Sequence, residues 1–219
     1  QYAPATIFSA ISRAKNRLIL PKQYADDIEL RDRDRFAKVD QTYQIYAAYQ
    51  DRLRQANAMD FDDLLIHTYL LFKNNGDICR RYADRFRYVL VDEYQDTNSV
   101  QQQIVLLLTS ENQKICVVGD DYQSIYAFRG AQIDNILNFQ RIYKDVHIFK
   151  LERNYRSTPE IVNAANSLMK HNQYQIDKDV FSSNDNGDKV TYRQLYSDRE
   201  EAAVVAKTIR SIMRDEGCD

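Results

Sequence analysis

Val89-Leu90-Val91-Asp92-Glu93-Tyr94-Gln95-Asp96 is the stretch from which the fold can be read. Tyr88 to Val91 is a short apolar run that ends in acidic residues, the pattern of a strand buried on both faces. A buried strand that delivers Asp and Glu at its carboxyl end suits a nucleotide hydrolase. The Asp at such a position holds a magnesium ion, commonly through water. The Glu beside it orients and deprotonates the attacking water. Taken alone, Asp92 and Glu93 read more readily as a strand ending in solvent, so the neighbouring segments have to decide.

Two further apolar runs follow, Ile115 to Val118, which ends at Gly119, and Val146 to Leu151. Helical patterns separate the three. Val100, Ile104, Leu107 and Leu108 share one face, with Asn98 or Ser99 as the cap, and Ile133, Ile136, Leu137 and Tyr143 fit a second helix. Strands alternating with helices predict an α/β fold with a parallel sheet, whose active residues collect at the carboxyl ends of the strands. Upstream, the first third reads as helical. Val39, Tyr43, Tyr46, Ala47 and Leu53 recur at helix spacing, and Ile28 to Lys38 reads as a solvated helix face or a loop. Asp60 is placed to cap a helix whose apolar face would be Phe61, Leu64, Leu65 and Leu71. Downstream, Ser157 with Glu160 and Ser197 with Glu200 form capping-box patterns, and Pro159 falls in the first turn of its helix. Asp177 to Asp188 reads as a loop, Val190, Tyr192 and Tyr196 as a strand, and Ala202, Val205, Ile209 and Ile212 as the inward face of the last helix.

Two more segments carry chemistry. In Val118-Gly119-Asp120-Asp121-Tyr122-Gln123-Ser124-Ile125-Tyr126-Ala127-Phe128-Arg129-Gly130 a strand again runs into a polar loop. The Gln123 amide both donates and accepts, so it can bond a phosphate oxygen or the lytic water. Tyr126, Phe128 and Arg129 put two rings and a guanidinium close together, a stacking platform for single-stranded bases. On composition alone Phe128 reads as a core aromatic. In Glu152-Arg153-Asn154-Tyr155-Arg156-Ser157, Arg156 stands beside a helix start and can reach a γ-phosphate, and Tyr155 can stack on a base. A surface ion pair is the commoner fate of any one Arg.

Composition narrows the classes. The 219 residues are 44% hydrophobic and 28% charged, with 5 Gly and 3 Pro, which fits a packed domain and not a disordered chain. The net charge of -2 gives no global nucleic-acid signature, so contact with DNA has to come from a local patch or from stacking. Cys79, Cys116 and Cys218 are scattered and read as reduced thiols in a cytoplasmic protein, with Cys116 in the core. His67, His147 and His171 have no partners at metal-ligand spacing, so no zinc site is expected. No apolar stretch reaches the length of a membrane span. The chain begins at Gln1 and ends in a helical pattern, as an internal piece of something longer would.

Together the three segments resemble motifs II, III and IV of the superfamily 1 DNA helicases of the UvrD/PcrA/Rep kind. The resemblance is carried by Asp92-Glu93-Tyr94-Gln95-Asp96-Thr97, by Gln123-Ser124-Ile125-Tyr126 with Phe128-Arg129-Gly130-Ala131, and by Asn154-Tyr155-Arg156-Ser157. It extends upstream, where Ile11-Ser12 with Ala14-Lys15-Asn16 resembles the helical insertion of the first motor domain. Met59-Asp60-Phe61-Asp62-Asp63-Leu64 resembles the return from that insertion. It implies part of a RecA-like P-loop NTPase parallel sheet with an α-helical insertion, divided as 1–57 (insertion), 58–151 (first motor domain) and 152–219 (start of the second). By the same resemblance Asp92 binds magnesium, Glu93 is the catalytic base, and Gln123 senses the γ-phosphate. Tyr126, Phe128 and Arg129 line the single-stranded DNA track, Arg156 is the arginine finger, and Tyr155 stacks on the adenine. The family hydrolyses ATP to move 3′ to 5′ on single-stranded DNA and to open duplex junctions, without a membrane.

The sequence departs from the family in three places. Tyr122 stands where the family has Asp before the motif III Gln, and Asp121 is the residue expected to replace it in part. Phe128 stands where Trp is frequent, so stacking should be weaker. The Walker A loop, GxxxxGK followed by Ser or Thr, is absent, because none of the glycines at 76, 119, 130, 187 and 217 has the required neighbours. The sheet is therefore expected to be incomplete, the piece inactive and marginal alone, and the remaining helicase domains to be its partners. Two other readings stay open. One is the motor of an AddA- or RecB-like helicase–nuclease, and the other is a degenerate relative that binds DNA without catalysis.

Overall fold

The computed structural model of the chain describes residues 2–127 and 130–217. Over these residues the fold is mixed α/β, mostly helical, with two small parallel sheets. The chain divides into two units, one of residues up to Phe149 with Tyr174–Ile176, the other of Lys150–Gln173 with Asp177 onward.

The first unit opens with four helices, α1 (Pro4–Asn16), α2 (Pro21–Asp26), α3 (Ile28–Phe36) and α4 (Thr42–Gln55). Pro4 and Pro21 sit in the first turns of α1 and α2, where a missing N–H costs nothing and the ring fixes φ. Ile7, Ile11 and Ala14 fall on one stripe of α1 and bury against Tyr24 and Tyr46. The two tyrosine rings meet edge to face at 5.9 Å. Each hydroxyl finds a partner, Tyr24 donating to Asp34 Oδ2 at 2.8 Å and Tyr46 to the Ile19 carbonyl at 3.1 Å. Burial, reinforced by Asp34, pushes the Tyr24 hydroxyl up to about 12. Of the charged 28–38 segment, Ile28–Phe36 is helical and the rest is a turn, and Asp34 within the helix is buried against Tyr24.

Helix α5 (Phe61–Asn74) begins in a capping box. The Asp63 amide donates to Asp60 Oδ1 at 2.8 Å and the Asp60 amide to Asp63 Oδ2 at 3.3 Å. Lys15, 0% exposed, places its Nζ 2.7 Å from both Asp60 Oδ2 and Asp63 Oδ1. Tyr49 donates to Asp60 Oδ2 at 2.9 Å and Gln50 to Asp63 Oδ1 at 3.0 Å, so α1, α4 and α5 converge on one charge cluster. This corrects the expected apolar face of α5. Phe61 is 89% exposed, Leu64 and Leu71 are exposed as well, and Asp63, Ile66 and Phe72 point inward. Lys15 fixes the rotation of the helix by drawing Asp63 in, and Ile66 follows one turn later.

After α6 (Gly76–Arg85), β1 (Val89–Val91) pairs in parallel with β2 (Ile115–Val117), in the register Val89 to Ile115, Leu90 to Cys116 and Val91 to Val117. Helix α7 (Ser99–Thr109) makes the crossover, and Asn98 caps it by accepting from the Gln101 amide at 2.9 Å. Leu90 and Cys116 lie on one face of the pair and both are exposed, so the core placement expected for Cys116 does not hold. The helix expected over 133–143 is broken at Asn138 into α8 (Asp134–Leu137) and α9 (Phe139–Ile142). Tyr143 beyond it is buried, with its hydroxyl 2.7 Å from Thr109 Oγ1.

Residues 146–151 form no strand, because apolar composition without an adjacent strand to share hydrogen bonds makes no ladder. In the second unit β3 (Arg153–Asn154) pairs in parallel with β4 (Phe181–Ser182), inside the segment expected to be a loop. Residues 190–196 are not a strand. Helix α10 (Pro159–Met169) starts one residue later than the expected capping box. Thr158 is its N-cap, and Glu160 accepts from the Gly187 amide at 2.9 Å. Helix α11 (Asp198–Glu216) is capped by Ser197, which accepts from the Glu200 amide at 3.2 Å, while Glu200 accepts from the Tyr196 amide. Val205, Ile209 and Ile212, expected inward, are exposed. Periodicity marks a face that can be buried without supplying what buries it.

The Lys15 cluster makes two testable statements. Lys15→Met leaves Asp63 buried and unmatched, and should lower unfolding free energy by about 3–5 kcal/mol in urea titrations. Adding Asp63→Leu should recover part of that loss, since no charge is then stranded at 63. Burial pushes the Asp60 carboxyl up, but hydrogen bonds from Lys15, the Asp63 amide and Tyr49 outweigh it and hold it below its ordinary value. Its contribution is therefore complete above the ordinary carboxylate value and is lost as pH falls through the lower folded one. Acid titrations of stability should show this step in the native protein, and Lys15→Met should weaken it.

Candidate functional site

The site grows from the ends of β1 and β2. The Val118 amide donates to the Val91 carbonyl at 2.8 Å and the Tyr94 amide returns to the Val118 carbonyl at 3.0 Å, which interlocks the two departing loops. Asp92 and Glu93 are both exposed there. Asp92 Oδ1 accepts from the Glu93 amide at 2.9 Å, and Glu93 has φ 49°, in the left-handed region. A 3-10 turn over Tyr94–Asp96 follows. Tyr94 anchors it from beneath. Its ring is buried edge-on to Phe139, its hydroxyl donates to Gln102, and burial pushes that hydroxyl up to about 12.

Gln95 is buried between the two loops. Its Nε2 donates to Glu93 Oε2 at 2.7 Å and its Oε1 accepts from the Asp120 amide at 3.0 Å. Asp120 in turn accepts from the Tyr122 amide at 3.1 Å and from Gln123 Nε2 at 2.8 Å. Gly119 makes this possible, because a Cβ there would stand 2.6 Å from Gln95 Oε1. Glu93 and Gln123 are thus joined through Gln95 and Asp120 at one end of the strand pair, with Asp92 beside Glu93. Reading the sequence residue by residue missed both links. The available signal was the position of Gln95, two residues past Glu93 on a tight turn. Asp121, expected to stand in for the family's Asp beside Gln123, instead accepts from the Ile176 amide at 2.7 Å, and Asp120 makes the contact.

Tyr126 is exposed further along the second loop, and Phe128 and Arg129 lie outside the described residues. The loop then returns to α1. Gly130 has φ 94°, and a Cβ there would lie 3.1 Å from Asn16 Cβ. Asn16 donates to Asp62 Oδ1 at 3.1 Å and accepts from Asn98, the cap of α7. Sequence reasoning gave Asn16 no individual role.

Tyr155 and Arg156 belong to the second unit. Tyr155 is 73% exposed, with the Arg153 guanidinium 4.7 Å from its ring centroid. Asn154 Oδ1 accepts from the amides of Arg156 at 2.9 Å and Ser157 at 2.8 Å, holding the turn that displays both side chains. Asn184 Nδ2 braces that turn through the carbonyls of Tyr155 and Ser157.

Among the described residues no three His, Cys, Asp or Glu side chains converge as a metal cage, and no helix is long and apolar enough to cross a membrane. A shallow cleft of about 250 Å³ opens at the other end of the strand pair, along Tyr88, Leu90, Lys114 and Cys116, away from these carboxylates.

Comparison with known proteins accords with this arrangement. The chain is 41% identical over 212 residues to the ATP-dependent DNA helicase PcrA of Leuconostoc citreum, covering 97% of this chain. It is 40% identical over 214 residues, 98% of the chain, to the proteins of that name in Staphylococcus epidermidis and Staphylococcus aureus. It spans 28% of the length of these curated relatives. Residues 149–218 match the UvrD-like helicase C-terminal domain, and residues 2–144, which carry the interlocked loops, match the UvrD/REP helicase N-terminal domain. The chain therefore belongs to the UvrD/REP helicase family.

Proposed function

We propose that this chain is part of an ATP-dependent DNA helicase that moves 3′ to 5′ on single-stranded DNA and separates duplexes at junctions. The observation that carries the reading is the gathering of Asp92, Glu93 and Gln123 by two interlocked loops at the carboxyl ends of a parallel strand pair. That is where α/β nucleotide hydrolases keep their reacting groups. Family membership and the PcrA relatives support it, and they favour a helicase motor over a helicase–nuclease. On this reading 1–57 is the helical insertion, 58–151 belongs to a first RecA-like domain and 152–219 begins a second. The remaining helicase domains are its partners, and the location is cytoplasmic.

Asp92 suits a magnesium ion. It offers one exposed carboxylate, and magnesium keeps most of its water and binds through one or two carboxylates and the substrate phosphates. The ion would offset phosphate charge there. Glu93 accepts the proton of the attacking water as its oxygen bonds the γ-phosphorus and the bond to the bridging oxygen breaks, releasing ADP. Gln123 contacts the γ-phosphate or that water. Arg156 stabilises charge on the transferring group, and Tyr155 stacks on the adenine. Tyr126, Phe128 and Arg129 hold single-stranded bases. No Walker A loop occurs in the 219 residues, so the phosphate cradle is not among them.

A longer chain that includes the Walker A loop should hydrolyse ATP with magnesium and single-stranded DNA. Glu93→Gln in that protein should cut turnover by about 10²–10⁴-fold while ATP is still bound. Full turnover in that variant would remove the role given to Glu93. The 219-residue chain alone should give no measurable hydrolysis.

A further inference from the structure

We infer that Gln95 is a positioning residue that holds Glu93 in one orientation and ties it to the loop carrying Gln123. The inference rests on the helicase reading, in which Glu93 is the general base. Gln95 is 1% exposed, and both ends of its amide are engaged. The Asp120 backbone N–H, 3.0 Å from Oε1, can only donate, so it decides which way the amide faces. Nε2 is thereby turned to Glu93 Oε2 at 2.7 Å. Glu93 is an exposed, flexible side chain, and such a side chain loses rotamer freedom when one carboxylate oxygen is fixed. One oxygen is held and the other is kept for water.

The same contacts reach the second loop. Gln123 donates to the Asp120 side chain at 2.8 Å, and Asp120 fixes Gln95 through its amide, so a chain of three hydrogen bonds runs from Gln123 to Glu93. The seat is specific, since a Cβ at Gly119 would stand 2.6 Å from Gln95 Oε1. When Gln123 turns toward a phosphate it gives up a bond to the residue that orients Gln95. The base and the γ-phosphate sensor therefore do not adjust independently.

A competing role is that Gln95 merely fills a slot beneath the loops. The two roles part at Gln95→Glu. That variant keeps the shape and the acceptor for the Asp120 amide, but it puts a carboxylate where Glu93 meets a donor. The test is steady-state turnover of Mg-ATP by the full-length protein on single-stranded DNA. Gln95→Ala and Gln95→Glu should each lower kcat by about 10–100-fold, with KM for ATP shifted by less than about threefold. Circular dichroism and titration of the ATP-binding fraction should show that the variants fold, since an unfolded fraction would lower apparent kcat without moving KM, and losses that vanish per folded site would overturn the inference. The double variant of Gln95→Ala with Gln123→Ala should lose less than the product of the single losses. Wild-type kcat in Gln95→Glu, losses confined to KM, or fully multiplicative losses would overturn the inference. Undiminished turnover in Glu93→Gln would instead overturn the helicase assignment of Glu93, a separate outcome.

Discussion

A single buried ammonium group organises the first unit. Removing a charge from water costs several kcal/mol even after relaxation, so Lys15 is tolerable only where its charge is matched and its protons are bonded. Asp60 and Asp63 match it, and Tyr49 adds its ring face 5.1 Å away. Both carboxylates come from the same capping box, so the interaction fixes where α5 begins and how it is rotated. The next residue, Asn16, then faces the cap of α7 and the loop at Gly130. One ion cluster therefore sets the orientation of the helical region against the strand pair whose loops carry the candidate chemistry.

The candidate site depends on small residues and backbone amides as much as on the carboxylates. The strand pair gives the loops a common origin, the amides of Tyr94 and Val118 lock them, and Gly119 leaves room for an amide side chain between them. None of these contacts acts on a substrate. They decide whether Glu93 and Gln123 stand within reach of the same atoms.

Much of this was legible in the sequence. The strands at 89–91 and 115–117, their parallel pairing and the Asn98 and Asp60 caps follow from apolar runs, crossover spacing and capping chemistry. Asp92, Glu93 and Gln123 were legible because strand ends and motif spacing point to them. The inward face of α5 was not legible, because hydropathy cannot anticipate that a buried Lys draws an Asp inside and leaves Phe61 outside. Cys116, residues 146–151 and the stripe on α11 misled for one reason, that apolar patterning reports a capacity for burial and not the presence of a neighbour. Asp120 was obscured by Asp121, since adjacent carboxylates are equivalent in a sequence and diverge only when the backbone turns.

The backbone at Glu93 also bears on how the turn after the first strand is held. A non-glycine residue in the left-handed region costs on the order of 1–3 kcal/mol, and at Glu93 the hydrogen bond from Gln95 Nε2 to the carboxylate offsets part of that cost. Leu18, Lys38 and Gln113 adopt the same conformation, so at position 93 the turn after the first strand carries a backbone cost that this chain accepts at other tight turns too.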